Sequence, residues 1–182
     1  MKKLTSILTI LFLFQAGVFA QTRLIDRSGT ARFYSSAPME DIEATNNSAL
    51  AVIEPESGKV AVSMLIKGFN FEKALMQEHF NENYLESDKY PKATFSGQLA
   101  DPALLKKDGK FEAQITGQMT IHGVSKELTV PCQFEIMAGE IKVQSTFNLT
   151  VADFEIEIPK LVRNNIAKEV EVTANFKFLR NE

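Results

Sequence analysis

The sequence predicts an all-β fold in which long antiparallel strands close into a barrel. Apolar and polar residues alternate along most of the chain, which is the pattern of strands with one buried face. Short segments such as HGVSK, MAGE and DGK join the alternating stretches, as in an antiparallel meander. The strands are about ten residues long, and closing such a sheet removes the edges that an open sheet would expose.

The first twenty residues are predicted to be a signal peptide that is cleaved after Ala20. Lys2 and Lys3 form a basic start, an apolar run follows, and Val18-Phe19-Ala20 places small residues at both key positions of a cleavage site. The apolar run is short for a membrane span, and no cysteine follows it that could carry a lipid anchor. We therefore expect an exported protein, periplasmic or secreted, whose residues 21–182 form one domain.

Charge argues against a nucleic-acid-binding protein, and cysteine content argues against a disulfide-stabilised one. The net charge of the whole chain is −3, and removal of Lys2 and Lys3 makes it more negative. Binding to a nucleic-acid backbone requires clustered Lys and Arg, which this balance does not favour. Cys132 is the only cysteine, so the domain has no internal disulfide. Its stability must come from burial and backbone pairing.

Six segments of the chain carry the strand alternation. The sequence contains 14 Phe and no Trp, and nearly every predicted inward face includes a Phe. In chain order, the apolar faces are Val60, Val62, Met64 and Ile66; Ala93, Phe95 and Leu99; Phe111, Ala113, Ile115, Met119 and Ile121; Leu128, Val130, Cys132, Phe134 and Ile136; Ile141, Val143, Phe147, Leu149 and Val151; and Val170, Val172, Ala174, Phe176 and Phe178.

Two segments interrupt the alternation. In GFNFEKALMQEHFNENYLESDKYP, Asn70 is predicted to cap a short helix, with Glu72 in its first turn, where an acid suits the helix dipole. In IPKLVRNNIAKE, Pro159 cannot donate to a β-ladder, so the preceding strand should end there. We expect the first segment to form a helical turn and loop that cover one end of the barrel. Its helical periodicity is set by Phe71, Leu75, Met76 and Phe80.

Three motifs in order resemble the YceI-like family. The first is the His79-Phe80 step, and the second is the Tyr90-Pro91 pair followed by Phe95. The resemblance covers most of the chain after residue 20 and is strongest from about Phe71 to Phe134. The third motif consists of Gly117, Met119, Thr120, Ile121, Gly123 and Val124.

The resemblance implies an eight-stranded, lipocalin-like antiparallel barrel with a long apolar cavity. It further implies a bound polyisoprenoid or other lipid-like amphiphile, and hence an extracytoplasmic carrier or buffer of such a molecule. The chain departs from the family pattern in two places. Met76-Gln77 stands where the family has Arg-Asp, and FYSSAPMEDIEATNN replaces the usual N-terminal strand. The resemblance therefore leaves the head group of the ligand open.

The predicted ligand contacts lie on the cover and on the inward faces of the strands. Burial of an apolar chain contributes roughly 0.8 kcal/mol per methylene, and Met adapts to irregular partners. Alternatively, the same side chains fill the core, and the barrel is a protein-interaction or stress-related structural module without a small ligand. The sequence leaves open whether the barrel forms a homodimer. The predicted contacts are Phe71, Leu75, Met76, Phe80, Tyr84, Leu85, Phe95, Ile115, Met119, Phe134, Phe147 and Phe176.

No group of residues in the sequence predicts an enzyme, a metal site or a cofactor. His79 and His122 are the only imidazoles; we expect His79 to bond to loop backbone and His122 to lie in a turn on the polar face. Cys132 on an apolar face should have a raised pKa and low reactivity. Glu155 and Glu157 are spaced like a glycosidase pair, but alternation along a strand turns both toward solvent.

Overall fold

The computed structural model of the protein describes residues 22–160 and 164–180, most of which lie in antiparallel strands. The predicted signal peptide, residues 1–20, lies outside these residues. The strands are β1 (Leu24–Ser36), β2 (Asp41–Glu54), β3 (Lys59–Leu65), β4 (Phe69–Phe71), β5 (Lys92–Leu99), β6 (Gly109–Ile121), β7 (Val124–Met137), β8 (Glu140–Thr150) and β9 (Glu169–Leu179).

The strands form a closed barrel in which, apart from the short β4, strands that follow one another in sequence pair with each other. The order around the barrel is β1-β9-β8-β7-β6-β5-β3-β2, and β1 also pairs with β2, which closes the sheet. Strand β4 continues β3 along the same side of β2 after a 3₁₀ turn at Ile66–Gly68. Because β3 and β4 together occupy one position in the wall, the nine strands form a barrel of eight positions. The predicted eight-stranded antiparallel barrel is confirmed.

Strands β1 and β2 lie outside the six segments that alternation identified. Many of their inward positions are occupied by small or polar residues, which conceal the strand pattern. Asp26 and Asn46 are buried there. Asp26 accepts hydrogen bonds from the amides of Ser28 and Lys177, and the side chain of Asn46 bonds to the Leu65 carbonyl. These bonds satisfy polar groups whose burial would otherwise be costly.

Strands β7 and β8 pair along only part of their length. Their ladder runs from Met137 and Glu140 to Cys132 and Ser145 and does not continue toward the cover. Pro131 marks the point of separation because it has no N–H to donate. Its carbonyl instead accepts a hydrogen bond of 2.6 Å from the hydroxyl of Ser145. We call the unpaired region between Val124–Val130 and residues 146–150 the seam.

A 3₁₀ turn over Val151–Phe154 contacts both strands that border the seam. The turn buries Phe154, and Ile156 packs against the apolar cluster under the cover. The predicted strand through Ile156 to Pro159 is therefore wrong, since β8 ends at Thr150 and the chain turns inward to bury Phe154. Glu155 and Glu157 are exposed, as expected, but they do not lie on a strand.

The end of the barrel opposite the cover is closed by a 3₁₀ turn at Pro102–Lys106, which we call the plug. Leu105 in this turn is completely buried in the main apolar cluster, and its carbonyl accepts a hydrogen bond from Arg180. The segment DGK is thus not a tight hairpin turn. It follows this plug, and β6 begins at Gly109.

The cover begins with α1 (Ala74–His79), which continues as a π-helical turn over Phe80–Tyr84. Asn70 does not cap this helix, contrary to the prediction, because it lies in β4 and its side-chain amide donates to the carbonyls of Thr45 and Gly68. Lys73 occupies the N-cap position without a capping side-chain bond.

Candidate functional site

The barrel encloses an apolar cavity of about 350 Å³. Its volume lies in the range of roughly 300–1,000 Å³ that is usual for ligand pockets. Every second residue of β9 from Val170 to Phe178 lines it, a distance of roughly 26 Å along the strand at about 3.3 Å per residue. The cavity is therefore long and narrow, and it runs from the plugged end of the barrel toward the cover.

Eleven of the twelve predicted contact residues line this cavity. Their position agrees with the prediction, while contact with a ligand stays a prediction. Leu85, Phe95, Ile115 and Phe134 among them are buried. The lining residues of the predicted set are Phe71, Met76, Phe80, Tyr84, Leu85, Phe95, Ile115, Met119, Phe134, Phe147 and Phe176.

Leu75 is the exception, and the prediction that it faces inward is wrong. Its exposed fraction is 61%, and it does not line the cavity. Met76 and Phe80 are four residues apart and occupy the inward face of α1 and its π-helical continuation. Leu75 is rotated by about 100° from Met76 around the helix axis, so a helix lying on the barrel end turns Leu75 toward solvent.

Four phenylalanines join the cover to the barrel wall. The ring of Phe80 lies 5.4 Å from that of Phe33, 5.0 Å from that of Phe71 and 5.7 Å from that of Phe69, measured between centroids. These distances are typical of favourable aromatic contacts. Sequence reasoning missed Phe33 because β1 was not recognised, and it missed Phe69 because GFNF was assigned to the start of a helix.

The residues that carry the family resemblance fasten the cover to the β6–β7 turn. The ring of Tyr90 packs edge-on against His122 at a centroid distance of 4.6 Å. Gly123 has a φ of +77°, and a Cβ placed on it would lie 2.6 Å from the Tyr90 ring. Gly117 faces Gly97 across β5 and β6, where a Cβ would collide with the carbonyl of Ser96. The two motif glycines thus permit close approach.

His122 bridges the cover and the segment that closes the seam. Its Nε2 lies 2.8 Å from Oε2 of Glu86, and its Nδ1 lies 3.2 Å from the carbonyl oxygen of Phe154. The predicted turn position is confirmed, but the side chain is only 12% exposed. A positive φ of 53° takes His122 out of strand alternation, and its ring lies between Glu86, Tyr90 and Phe154.

His79 lies at the cover end of the cavity and is exposed. The predicted hydrogen bond from its ring to loop backbone is absent among residues 22–160 and 164–180. Over the same ranges, no group of three or more His, Cys, Asp or Glu side chains is placed to hold a metal ion. None of the helices in these ranges is long and apolar enough to cross a membrane.

The polar residues at the cover end form what we call the mouth: Ser35, Glu40, His79 and Asn165. Oε1 of Glu40 accepts a hydrogen bond of 2.7 Å from Nζ of Lys73. This bond, with a weaker contribution from Asn165, holds the pKa of Glu40 below its usual value. Glu40 is therefore an anion at neutral pH. No sequence pattern predicts this grouping, because the four residues come from three distant segments.

Cys132 lines the deep part of the cavity and is buried. Burial raises the pKa of its thiol, as predicted, while the low reactivity of the thiol stays a prediction. Tyr84 also lines the cavity, and burial raises the pKa of its phenol. Both side chains are therefore neutral at physiological pH.

Comparison with known proteins identifies the family. The YceI-like domain matches residues 27–178. A UPF0312 protein of Pseudomonas putida strain W619 is 26% identical over 129 residues, which cover 65% of this chain and 63% of that protein. A UPF0312 protein of Pseudomonas fluorescens is 28% identical over 82 residues, 44% of this chain and 41% of that protein. The chain thus spans less than two thirds of the length of the curated relatives it matches.

Solved structures share the fold. A polyisoprenoid binding domain from Saccharophagus degradans, implicated in plant cell wall breakdown, superposes with a TM-score of 0.76 at 16% identity and covers 87% of this chain and 98% of its own. Burkholderia cenocepacia BcnA gives a TM-score of 0.68 at 17% identity and covers 82% of this chain and 95% of its own. At these identities the likeness establishes the barrel alone.

Proposed function

Because this chain belongs to the YceI-like family, we propose that it is a binding protein that holds a polyisoprenoid or another lipid-like amphiphile in its barrel. The observation that carries this proposal is the long apolar cavity, which is lined by residues from all eight strand positions of the barrel and from the cover. The solved domain from Saccharophagus degradans that shares the fold is named for polyisoprenoid binding. The protein would act as a carrier or buffer, without catalysis.

The chemistry of the lining supports a hydrocarbon ligand. Its side chains are mainly Phe, Ile, Val, Leu, Met and Ala, and an apolar chain gains roughly 0.8 kcal/mol for each methylene buried among them. The realised binding free energy of a drug-sized ligand is nearer about 0.3 kcal/mol per heavy atom. Chain burial therefore supplies affinity without much selectivity, and selectivity falls to the polar groups of the mouth.

The proposed location is outside the cytoplasm, in the periplasm or the medium. It rests on the basic, apolar and small-residue pattern of residues 1–20. N-terminal sequencing of the protein from fractionated cells tests this part separately. We expect the exported protein to begin at Gln21, and an intact Met1 on cytoplasmic protein would contradict it.

The alternative of a filled core is disfavoured by the cavity volume, and alanine-to-leucine substitutions separate the two. Ala93 and Ala174 line the cavity, whereas Ala113 packs against the apolar cluster without lining it. Ala113→Leu is thus the matched control. In a filled core, each substitution would cost about 1–3 kcal/mol through overpacking.

The experiment measures retention of geranylgeraniol by protein refolded from guanidinium and therefore free of lipid. We expect the wild type and Ala113→Leu to retain one ligand per barrel through gel filtration. The double variant Ala93→Leu/Ala174→Leu should lose retention while still folding, as judged by circular dichroism. Absence of binding by the folded wild type would refute the proposed function.

A further inference from the structure

We propose that the seam between β7 and β8 is a lateral gate, through which the ligand enters and leaves the cavity from the side of the barrel. The 3₁₀ turn at Val151–Phe154, which we call the seam turn, is the part that moves. This inference rests on the proposed function and adds the route that a ligand takes to the same cavity.

In the described part of the chain, no backbone ladder closes the barrel wall at the seam. Among residues 22–160 and 164–180, the pairing of β7 with β8 ends at Cys132 and Ser145, and no backbone hydrogen bond joins the two strands nearer the cover. On either side the wall is continuous, since every residue of β6 pairs with β7 and every residue of β8 pairs with β9. Widening the seam therefore breaks no backbone hydrogen bond between strands, whereas opening either neighbouring ladder would break many.

The seam lies directly against the cavity. Val130 on β7 and Phe147 and Leu149 on β8 border the seam, and all three line the cavity. A long hydrocarbon that entered through an end of the barrel would have to thread its whole length past the residues there. An opening in the side wall, parallel to the strands, instead admits the chain side-on. The seam thus gives the shorter path into a cavity that is long and narrow.

The seam turn fills this gap and is fastened at its two ends. It contacts both β7 and β8, and the buried ring of Phe154 lines the cavity. The amide of Val151 donates a hydrogen bond of 2.9 Å to the carbonyl of Lys168. The carbonyl of Phe154 accepts a hydrogen bond of 3.2 Å from Nδ1 of His122. The first bond acts as the hinge and the second as the latch, so loss of the second frees the Phe154 end of the turn.

The backbone that follows the seam turn is strained. Glu155 has a φ of +55°, a left-handed conformation that is unfavourable for a residue with a side chain. Its side chain is exposed, so burial of that side chain does not offset the strain. Strained residues of this kind are typical of ligand clamps and switch regions. A movement of the seam turn would allow Glu155 to return to an ordinary backbone conformation.

Both ends of the barrel are fastened more firmly than the seam. At one end the ring of Phe80 packs against three phenylalanines of the wall, and the ion pair of Lys73 with Glu40 joins α1 to the β1–β2 connection. At the other end Leu105 of the plug is completely buried, and its carbonyl accepts a hydrogen bond from Arg180. Passage through either end would have to break these contacts.

Lys126 shows that water reaches the inner face of the wall beside the seam. It pairs with Met119, which lines the cavity, and directly opposed residues of an antiparallel pair point to the same side of the sheet. Lys126 is therefore on the inward face of β7, and yet its side chain is exposed. An inward-pointing lysine at an unpaired edge also opposes the addition of another strand, which keeps the seam free to open.

Crosslinking across the seam tests the gate. Thr129 and Asn148 are exposed, and continuation of the β7–β8 register places them opposite each other on the outer face. The variant Thr129→Cys/Asn148→Cys is joined with a short bis-maleimide, which holds the two edges together. Gln133→Cys/Gln144→Cys, joined in the same way, is the matched control, because these exposed residues are already paired in the ladder. Both variants also carry Cys132→Ala, so that the linker meets only the introduced thiols.

The measurement is the rate at which each protein takes up and releases retinol, a fluorescent isoprenoid alcohol, with phosphatidylcholine vesicles as donor and acceptor. We expect the seam crosslink to slow uptake and release at least tenfold each and to change the Kd less than threefold, because a gate alters rates and not the bound state. The same variant without crosslinker should exchange retinol as fast as its Cys132→Ala parent. The ladder crosslink should change either rate less than twofold.

The outcomes separate the gate from the function on which it rests. If the crosslinked seam exchanges retinol as fast as the uncrosslinked variant, the gate is overturned while lipid binding stands. If the two crosslinks slow exchange equally, the effect is a general stiffening of the barrel, and the assignment to the seam is wrong. If the folded wild type binds neither retinol nor geranylgeraniol, the proposed function fails and the gate fails with it.

Discussion

At the scale of single residues, His122 connects parts of the chain that lie far apart in sequence. Its ring contacts the carboxylate of Glu86, the carbonyl of Phe154 and the edge of Tyr90. The sequence predicts the turn but not the mostly buried ring, because the alternation of apolar and polar residues does not indicate which residue adopts a positive φ. Only the fold could reveal the two partners, which lie more than thirty residues away on either side.

We expect His122→Ala to lower the free energy of unfolding by about 1–3 kcal/mol, because it removes both hydrogen bonds of this mostly buried side chain and leaves the carbonyl of Phe154 without its partner. The measurement is guanidinium denaturation followed by circular dichroism. His79→Ala is the matched control and should change stability by less than about 0.5 kcal/mol, as an exposed substitution does. Equal effects of the two substitutions would show that the bridge does not stabilise the barrel.

Gly123 and Gly139 allow the contact with Tyr90 to be measured. Both have φ near +78° at equivalent positions of the β6–β7 and β7–β8 turns. Gly139→Ala should cost about 1–2 kcal/mol for the left-handed backbone alone, because the nearest atom is 3.7 Å from the added Cβ. Gly123→Ala should cost more, since its Cβ would meet the Tyr90 ring at 2.6 Å. Equal losses in thermal unfolding would mean that this packing is unimportant.

At the scale of elements, the visibility of a strand in the sequence depended on what its inward face carries. Strands β5 to β9 place large aliphatic and aromatic residues inward and were recognised. Strands β1 and β2 place Asp26, Asn46 and several alanines inward, which hides the alternation. The same small side chains leave space inside the barrel, so the elements that were hardest to predict are those that help to keep it hollow.

The seam gives β7 two regions with different protection. Residues Cys132–Ile136 pair with β6 and β8, whereas Val124–Val130 pair with β6 alone. Alternate amides of a strand point to opposite neighbours, so about half of those in Val124–Val130 face the seam. We expect these amides to exchange hydrogen at least tenfold faster than those of Cys132–Ile136 in NMR-detected exchange. Uniform protection along β7 would contradict the unpaired seam.

At the scale of the whole molecule, the barrel could be predicted because alternation, short turns and motif order all indicate one architecture. The mouth could not be predicted, because Ser35, Glu40, His79 and Asn165 are brought together only by closure of the sheet. The open cavity also required the structure. Sequence left the hollow and filled barrels as alternatives, since the same inward phenylalanines suit both.

Cys132 is a native reporter of cavity occupancy. Its thiol lines the cavity and is buried, with a raised pKa, so it should react slowly with N-ethylmaleimide in the folded protein. A bound chain would cover the sulfur, and we expect geranylgeraniol to slow modification at least fivefold. Protein unfolded in guanidinium gives the reference rate. An unchanged rate in the ligand-saturated folded protein would indicate that the chain does not reach this depth.

Native mass spectrometry of the protein purified from its own cells without detergent decides whether the open barrel holds one amphiphile. We expect a complex heavier than the polypeptide by one small molecule, which organic extraction releases as a prenyl or acyl species. A mass equal to that of the polypeptide alone after mild purification, together with no species in the extract, would contradict the proposed lipid binding.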